Sequence, residues 1–235
     1  MRTLITFPDA PVVETPAMLQ DAETLEAWLN EHNVSGYTVN PDLTVDVKGT
    51  VKLTLDQATY LPVQFGTVTG SFFLIAPCLT SLKGCPHTVD LTFDCSGCPI
   101  TSLLGGPQEV DDEYLCVGCK LETLEGAPPN HNGGFNCSSN FLKNLYYAPE
   151  EVGGTFNCSH NSLGDLEGNL TYVGYDLICK GNDMKEPPGI ENITVSRNLE
   201  WTDNPNDDEG ARDYENEIER RHEMEADRPS YSEDE

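Results

Sequence analysis

Cys95-x-x-Cys98 and Cys116-x-x-Cys119 are separated by 17 residues, a spacing at which two thiolate pairs gather around a tetrahedral zinc ion. A second constellation is His160 between Ser159 and Asn161, which has the look of a catalytic grouping. Each has a plainer explanation. The cysteine spacing follows from a sequence repeat, set out below, which leaves zinc at Cys95, Cys98, Cys116 and Cys119 as the alternative. For His160, no other segment supplies an orienting acid and oxyanion donors, so an exposed loop histidine is expected. Gly133-Gly134 and Gly153-Gly154 lack the helix and lysine of a phosphate loop. No catalytic residue, resident metal or other cofactor is expected, and the chain does not read as an enzyme.

The repeat has a period of 21 residues. Its first slot holds Val47, Val68, Val89, Val110, His131, Val152 and Val173. The fifth slot runs Val51, Phe72, Phe93, Tyr114, Phe135, Phe156 and Leu177, and the seventh holds two leucines, then Cys95, Cys116, Cys137, Cys158 and Cys179. The tenth slot passes from Cys98 and Cys119 to Asn140, Asn161 and Asn182, while slots twelve and fifteen are mostly leucine. Alternation at five and seven predicts a short strand with two inward side chains. The tenth-slot Asn, or Cys in its place, turns the chain and supplies a side chain for backbone groups inside the bend. The leucines then carry a return segment over the same core. So short a unit has no room for a full helix, and extended or polyproline-like returns are expected.

The flanks read differently. The segment after Asp21 has a capping Asp, early Glu residues and Leu25, Trp28 and Leu29 on one face, which predicts a short helix covering the first coil. Gly36 to Asp46 alternates around Asn-Pro-Asp and predicts a hairpin or an irregular first rung. The seventh unit departs from the frame at Met184 and Pro187 and reads as one residue short before Ile193. The expected organisation is an N-terminal segment with the helix (1–35), a solenoid (36–199) and an acidic tail (200–235), disordered or marginally helical from its composition.

Charge narrows the partners. The formal net charge is -27; residues 199–235 contribute -11, from 15 acidic residues against four arginines, which leaves -16 on the remainder. Such a chain repels nucleic acid and anionic membranes, and charge favours a basic protein partner. There is no apolar run long enough for a membrane span, and the first residues lack the pattern of a signal peptide. Nine cysteines, an odd number with five in one inward slot, fit free core thiols in a reducing cytoplasm.

In this frame, slots four, six and eight point out of the strand. They hold Glu113 and Asp176 in the fourth, Phe73, Asp94, Leu115, Asn136, Asn157 and Ile178 in the sixth, and Ile75 and Val117 in the eighth. Apolar residues rimmed by acidic groups mark this face as the expected partner-binding surface. The segments GTFNCSHNSLGDLEGN, LTSLKGCP and EYLCVGCKLETLEGAPPN, with the leader NPDLTVDVKGTVKLTLDQATYLPVQFGTVTGSF, resemble the short leucine-rich-repeat proteins of tailed bacteriophages and some bacteria. The resemblance spans roughly residues 36–192. It implies a β-rich solenoid of about seven coils, a parallel sheet on the concave face, a phage or bacterial origin and a scaffold that binds a host or virion protein. The alternatives are an acidic mimic of nucleic acid that inhibits a DNA-binding or defence protein, and a virion decoration or assembly protein.

Overall fold

The computed structural model describes residues 18–182, 184 and 187–201. The acidic tail expected over 200–235 lies outside the described residues from Thr202 onward. The described chain begins with helix α1, Ala22–Glu31. Asp21 starts it by accepting the Thr24 N–H at 2.9 Å, and Leu25 and Leu29, one turn apart, are buried in the core. Past its C-cap at His32 the chain turns at Asn33, whose backbone is left-handed (φ 57°), with Val34 N–H donating to Leu29 O at 2.9 Å. The expected hairpin follows: Tyr37–Val39 pairs antiparallel with Thr44–Val47.

From there the chain winds into a β-solenoid of about seven turns. One parallel sheet runs its length with eight strands: Val51–Thr54, Phe72–Ile75, Phe93–Asp94, Tyr114–Leu115, Phe135–Asn136, Phe156–Asn157, Leu177–Ile178 and Leu199–Glu200. The fifth slot stacks ring on ring along it, with centroids 6.1 Å apart for Phe72–Phe93, 5.0 Å for Phe93–Tyr114 and for Tyr114–Phe135, and 5.7 Å for Phe135–Phe156. Each ring is fully buried, so the stack adds aromatic contact to the transfer of its area from water.

The first slot builds a second wall, which is interrupted. Five strands from Tyr37–Val39 to Glu109–Val110 form one sheet; four from Asn130–His131 to Thr194–Val195 form another. Proline accounts for one of the bonds missing at the gap. In slot twenty, Gln108 N–H donates to His87 O at 3.0 Å and Glu150 N–H to Pro129 O at 2.7 Å, each one rung back. Pro129 occupies that slot between them and has no N–H to give Gln108. The last unit also differs from expectation. Val173 pairs with Val195 and Leu177 with Leu199, so this unit is one residue longer than 21, not one shorter, and an eighth strand follows it.

The tenth slot holds adjacent rungs together. Asn161 Nδ2 donates to Cys158 O at 3.1 Å in its own rung and to Cys137 O at 3.0 Å in the rung before, while Oδ1 accepts Leu142 N–H at 2.9 Å. Asn140 and Asn182 repeat this pattern. Cys119 supplies half of it: its thiol donates to Cys95 O at 3.3 Å, the carbonyl equivalent to the one Asn161 reaches, but sulfur leaves the slot-twelve N–H of the rung before without its acceptor. That N–H, on Ile100, turns instead to Cys98 O at 2.7 Å. Asn161→Ala strands three buried backbone groups and should lower unfolding free energy by about 2–4 kcal/mol, with Asn161→Cys costing roughly half as much. Denaturant titration of both variants checks the order; equal losses would show that the thiol is no substitute.

Candidate functional site

The four cysteines with zinc spacing are held by the backbone. Cys95 donates to Leu115 O (3.5 Å), Cys98 to Leu74 O (3.9 Å), Cys116 to Asn136 O (3.3 Å) and Cys119 to Cys95 O (3.3 Å). Contact with Cys119, then burial, pushes the Cys95 thiol up; burial does the same to Cys116, and raises Cys98 to about 12. A thiol held protonated is a poor metal ligand and a poor nucleophile. Among the described residues no group of three or more His, Cys, Asp or Glu side chains is placed to hold a metal ion. All nine cysteines are free and only Cys78 is exposed.

His160 is exposed and sits in slot nine, where five successive rungs turn left-handed: Gly97, Gly118, Ser139, His160 and Gly181 have φ between 52° and 74°. It is a turn residue, and its ring lies so close to Gly181 that a Cβ there would meet Nδ1.

The outward face of the long sheet is more closed than the alternation predicts. Phe73, Asp94, Leu115, Val117 and Asn136 are buried, although the three apolar ones stand outside the continuous core. Adjacent rungs, about 4.8 Å apart, cover one another's side chains. The polar members also serve their own strand: Asp94, Asn136 and Asn157 accept the N–H of Ser96, Ser138 and Ser159 at 2.8–3.0 Å. Partial exposure remains at Ile75, Glu113, Asn157, Asp176 and Ile178. Asp176 turns toward its neighbour, accepting both Asn198 N–H and Asn198 Nδ2.

Two features escaped the alternation. The first is His131, the one first-slot residue that is not valine, in the strand Asn130–His131 just beyond the Pro129 gap. It is buried, with Nε2 2.9 Å from Gly134 O. A carbonyl only accepts, so Nε2 carries the proton and Nδ1 presents a lone pair. Nδ1 and the Tyr114 hydroxyl, whose rings meet edge-on at 6.3 Å, are the buried side-chain polar atoms without a partner among the described residues. Burial lowers the His131 pKa, against the opposing pull of Gly134 O and of Asp112 and Asp111. The second is a set of exposed aromatic side chains, Phe141, Tyr146, Tyr147 and Tyr175, on the turns. Their signal was a break in their own columns: Phe141 stands where the neighbouring rungs have Lys120 and Ser162, and Tyr147 where they have Gly126 and Gly168.

No family model, no curated protein and no solved structure matches the chain. No helix among the described residues is long and apolar enough to cross a membrane.

The interior groups generate two expectations. In the native protein near neutral pH, an alkylating reagent should label Cys78 rapidly and the other eight thiols only as rungs open; mass mapping that finds Cys116 or Cys137 labelled as fast would contradict their burial. For His131, the unfolded chain takes up a proton near pH 6.5 and the folded chain only below that. Stability should therefore fall as pH drops from about 6.5 toward the lowered folded value, by at most about 1.4 kcal/mol per pH unit from this residue. His131→Val, which restores the usual residue of the slot, should lose this component, and thermal melts of both proteins between pH 7 and 5 would reveal parallel curves if the assignment is wrong.

Proposed function

We propose that the protein is a non-enzymatic scaffold that binds another protein through side chains projecting from its rungs. The observation that carries this reading is where reactive and adhesive groups lie. Eight of the nine thiols, the tenth-slot amides and His131 are turned inward, most of them bonded to backbone, while large aromatic side chains stand exposed on the turns. Chemistry needs convergent, accessible polar groups, whereas binding needs accessible apolar area with a charged rim, and the surface supplies the second. The outward sheet face contributes at Ile75, Glu113, Asp176 and Ile178, where exposure persists, rather than at its covered centre. The net charge of -27 favours a basic partner and speeds encounter. The resemblance to phage-encoded leucine-rich repeats supports a host or virion protein as the target.

Affinity capture from a bacterial lysate with the full chain, at low and at moderate salt, tests the proposal. One stoichiometric protein retained at both salts is the expected outcome. A spread of basic proteins released together by moderate salt would point to unspecific charge attraction instead.

A further inference from the structure

The sixteenth slot forms an outer column on the turns, and the same local bond sets its geometry in four rungs. Ser81, Thr123, Asn144 and Asp165, two residues earlier, accept the N–H of Lys83, Glu125, Tyr146 and Glu167 at 3.0–3.2 Å. Backbone bonds tie this stretch to the adjacent rung, as in Leu103 N–H to Glu125 O and Leu145 N–H to Glu167 O. Tyr146 is the occupant of this column in the fifth rung, between Glu125 in the rung before and Glu167 in the rung after, successive rungs of a parallel stack lying about 4.8 Å apart. All three are exposed, Tyr146 at 51%.

Tyr147, 56% exposed, extends the patch from a backbone that a tyrosine seldom adopts. Its φ is 66°, and Gly84, Gly105, Gly126 and Gly189 take the left-handed region in the same slot of other rungs. Asn169 of the next rung steadies the turn by accepting the Tyr147 N–H at 3.0 Å. Two adjacent phenol rings flanked by carboxylates suit a cation: the ring face attracts it and the carboxylate pairs with it. The chain already makes such a contact two rungs on, where the Arg197 guanidinium lies 4.1 Å from the Tyr175 ring centroid. Lys143, exposed in the same rung as Tyr146, is the nearby group of opposite sign.

We propose that the turn surface formed by Tyr146 and Tyr147 between Glu125 and Glu167 docks an arginine- or lysine-rich segment of a partner protein. This rests on the scaffold reading above and names its site and partner chemistry. The occupant follows from charge complementarity together with the rings: an apolar partner leaves both carboxylates without a counter-charge, and an acidic one is repelled.

The test is titration of the full chain with a short arginine-serine repeat peptide at physiological salt, followed by tyrosine fluorescence and calorimetry. Tyr146→Ser/Tyr147→Gly removes both rings and gives slot seventeen the glycine used by other rungs, so its melting temperature should not fall. The double variant is expected to bind the peptide about tenfold more weakly. Glu109→Gln, on another wall of the solenoid, should bind as the parent does. All three proteins keep every other acidic group of the chain, so general attraction is common to them. Equal affinity of parent and double variant, or an equal loss in Glu109→Gln, overturns the proposal. Lysate capture with the same variants separates the two readings. A specific partner that the double variant retains undiminished overturns this site and leaves the scaffold standing; a partner lost only from the double variant supports both.

Discussion

The structure depends on a debt that every turn leaves to its neighbour. At the tenth slot the chain bends sharply inside a dry interior, which removes backbone carbonyls and an N–H from water. In the later rungs one asparagine meets all of them at once, donating to a carbonyl of its own rung and to one of the rung before while accepting an N–H of the rung before, so two of these bonds cross between rungs. No rung is complete alone. This makes the array nearly one-dimensional in its energetics, each unit stable only when stacked.

The earlier rungs meet the same demand with sulfur. Cysteine donates as asparagine does but accepts poorly, and the displaced N–H finds a local carbonyl. The change of residue along the column thus marks two solutions to one bend, which also explains a cysteine spacing that imitates a metal motif. The thiols of slot seven add a parallel ladder, donating to the strand of the next rung and filling volume between the aromatic stack and the leucines. Their burial keeps them protonated, so these groups serve as small apolar donors.

Where the column rule is broken, the molecule shows its weak points and its surface features. Pro129 interrupts one wall, and His131 and Tyr114 leave unpartnered polar atoms beside the interruption. The long sheet carries on past this place unbroken, since Tyr114–Leu115 pairs with Phe135–Asn136. Tyr147 breaks a glycine column in the same rung as His131, toward solvent rather than the core. The fifth rung therefore combines an unpartnered interior histidine nitrogen with three exposed aromatic side chains, Phe141, Tyr146 and Tyr147.

The residues themselves determined the period, the inward slots, the capping helix and the leading hairpin, because each depends on local alternation, capping or turn chemistry that a single unit displays. Phe135, Cys137, Leu142 and Leu145 are buried as their slots require. The outward face was legible only in direction. That Phe73 and Leu115 point away from the core is a matter of strand pleat; that they are nonetheless covered depends on rungs 21 residues away in sequence. Stacking alone also decided that the final unit is longer and seats an eighth strand, and that Tyr146 falls in a column between two glutamates. A repeat sequence states which way each side chain faces, but exposure is a property of the neighbours, and the neighbours are set by the stack.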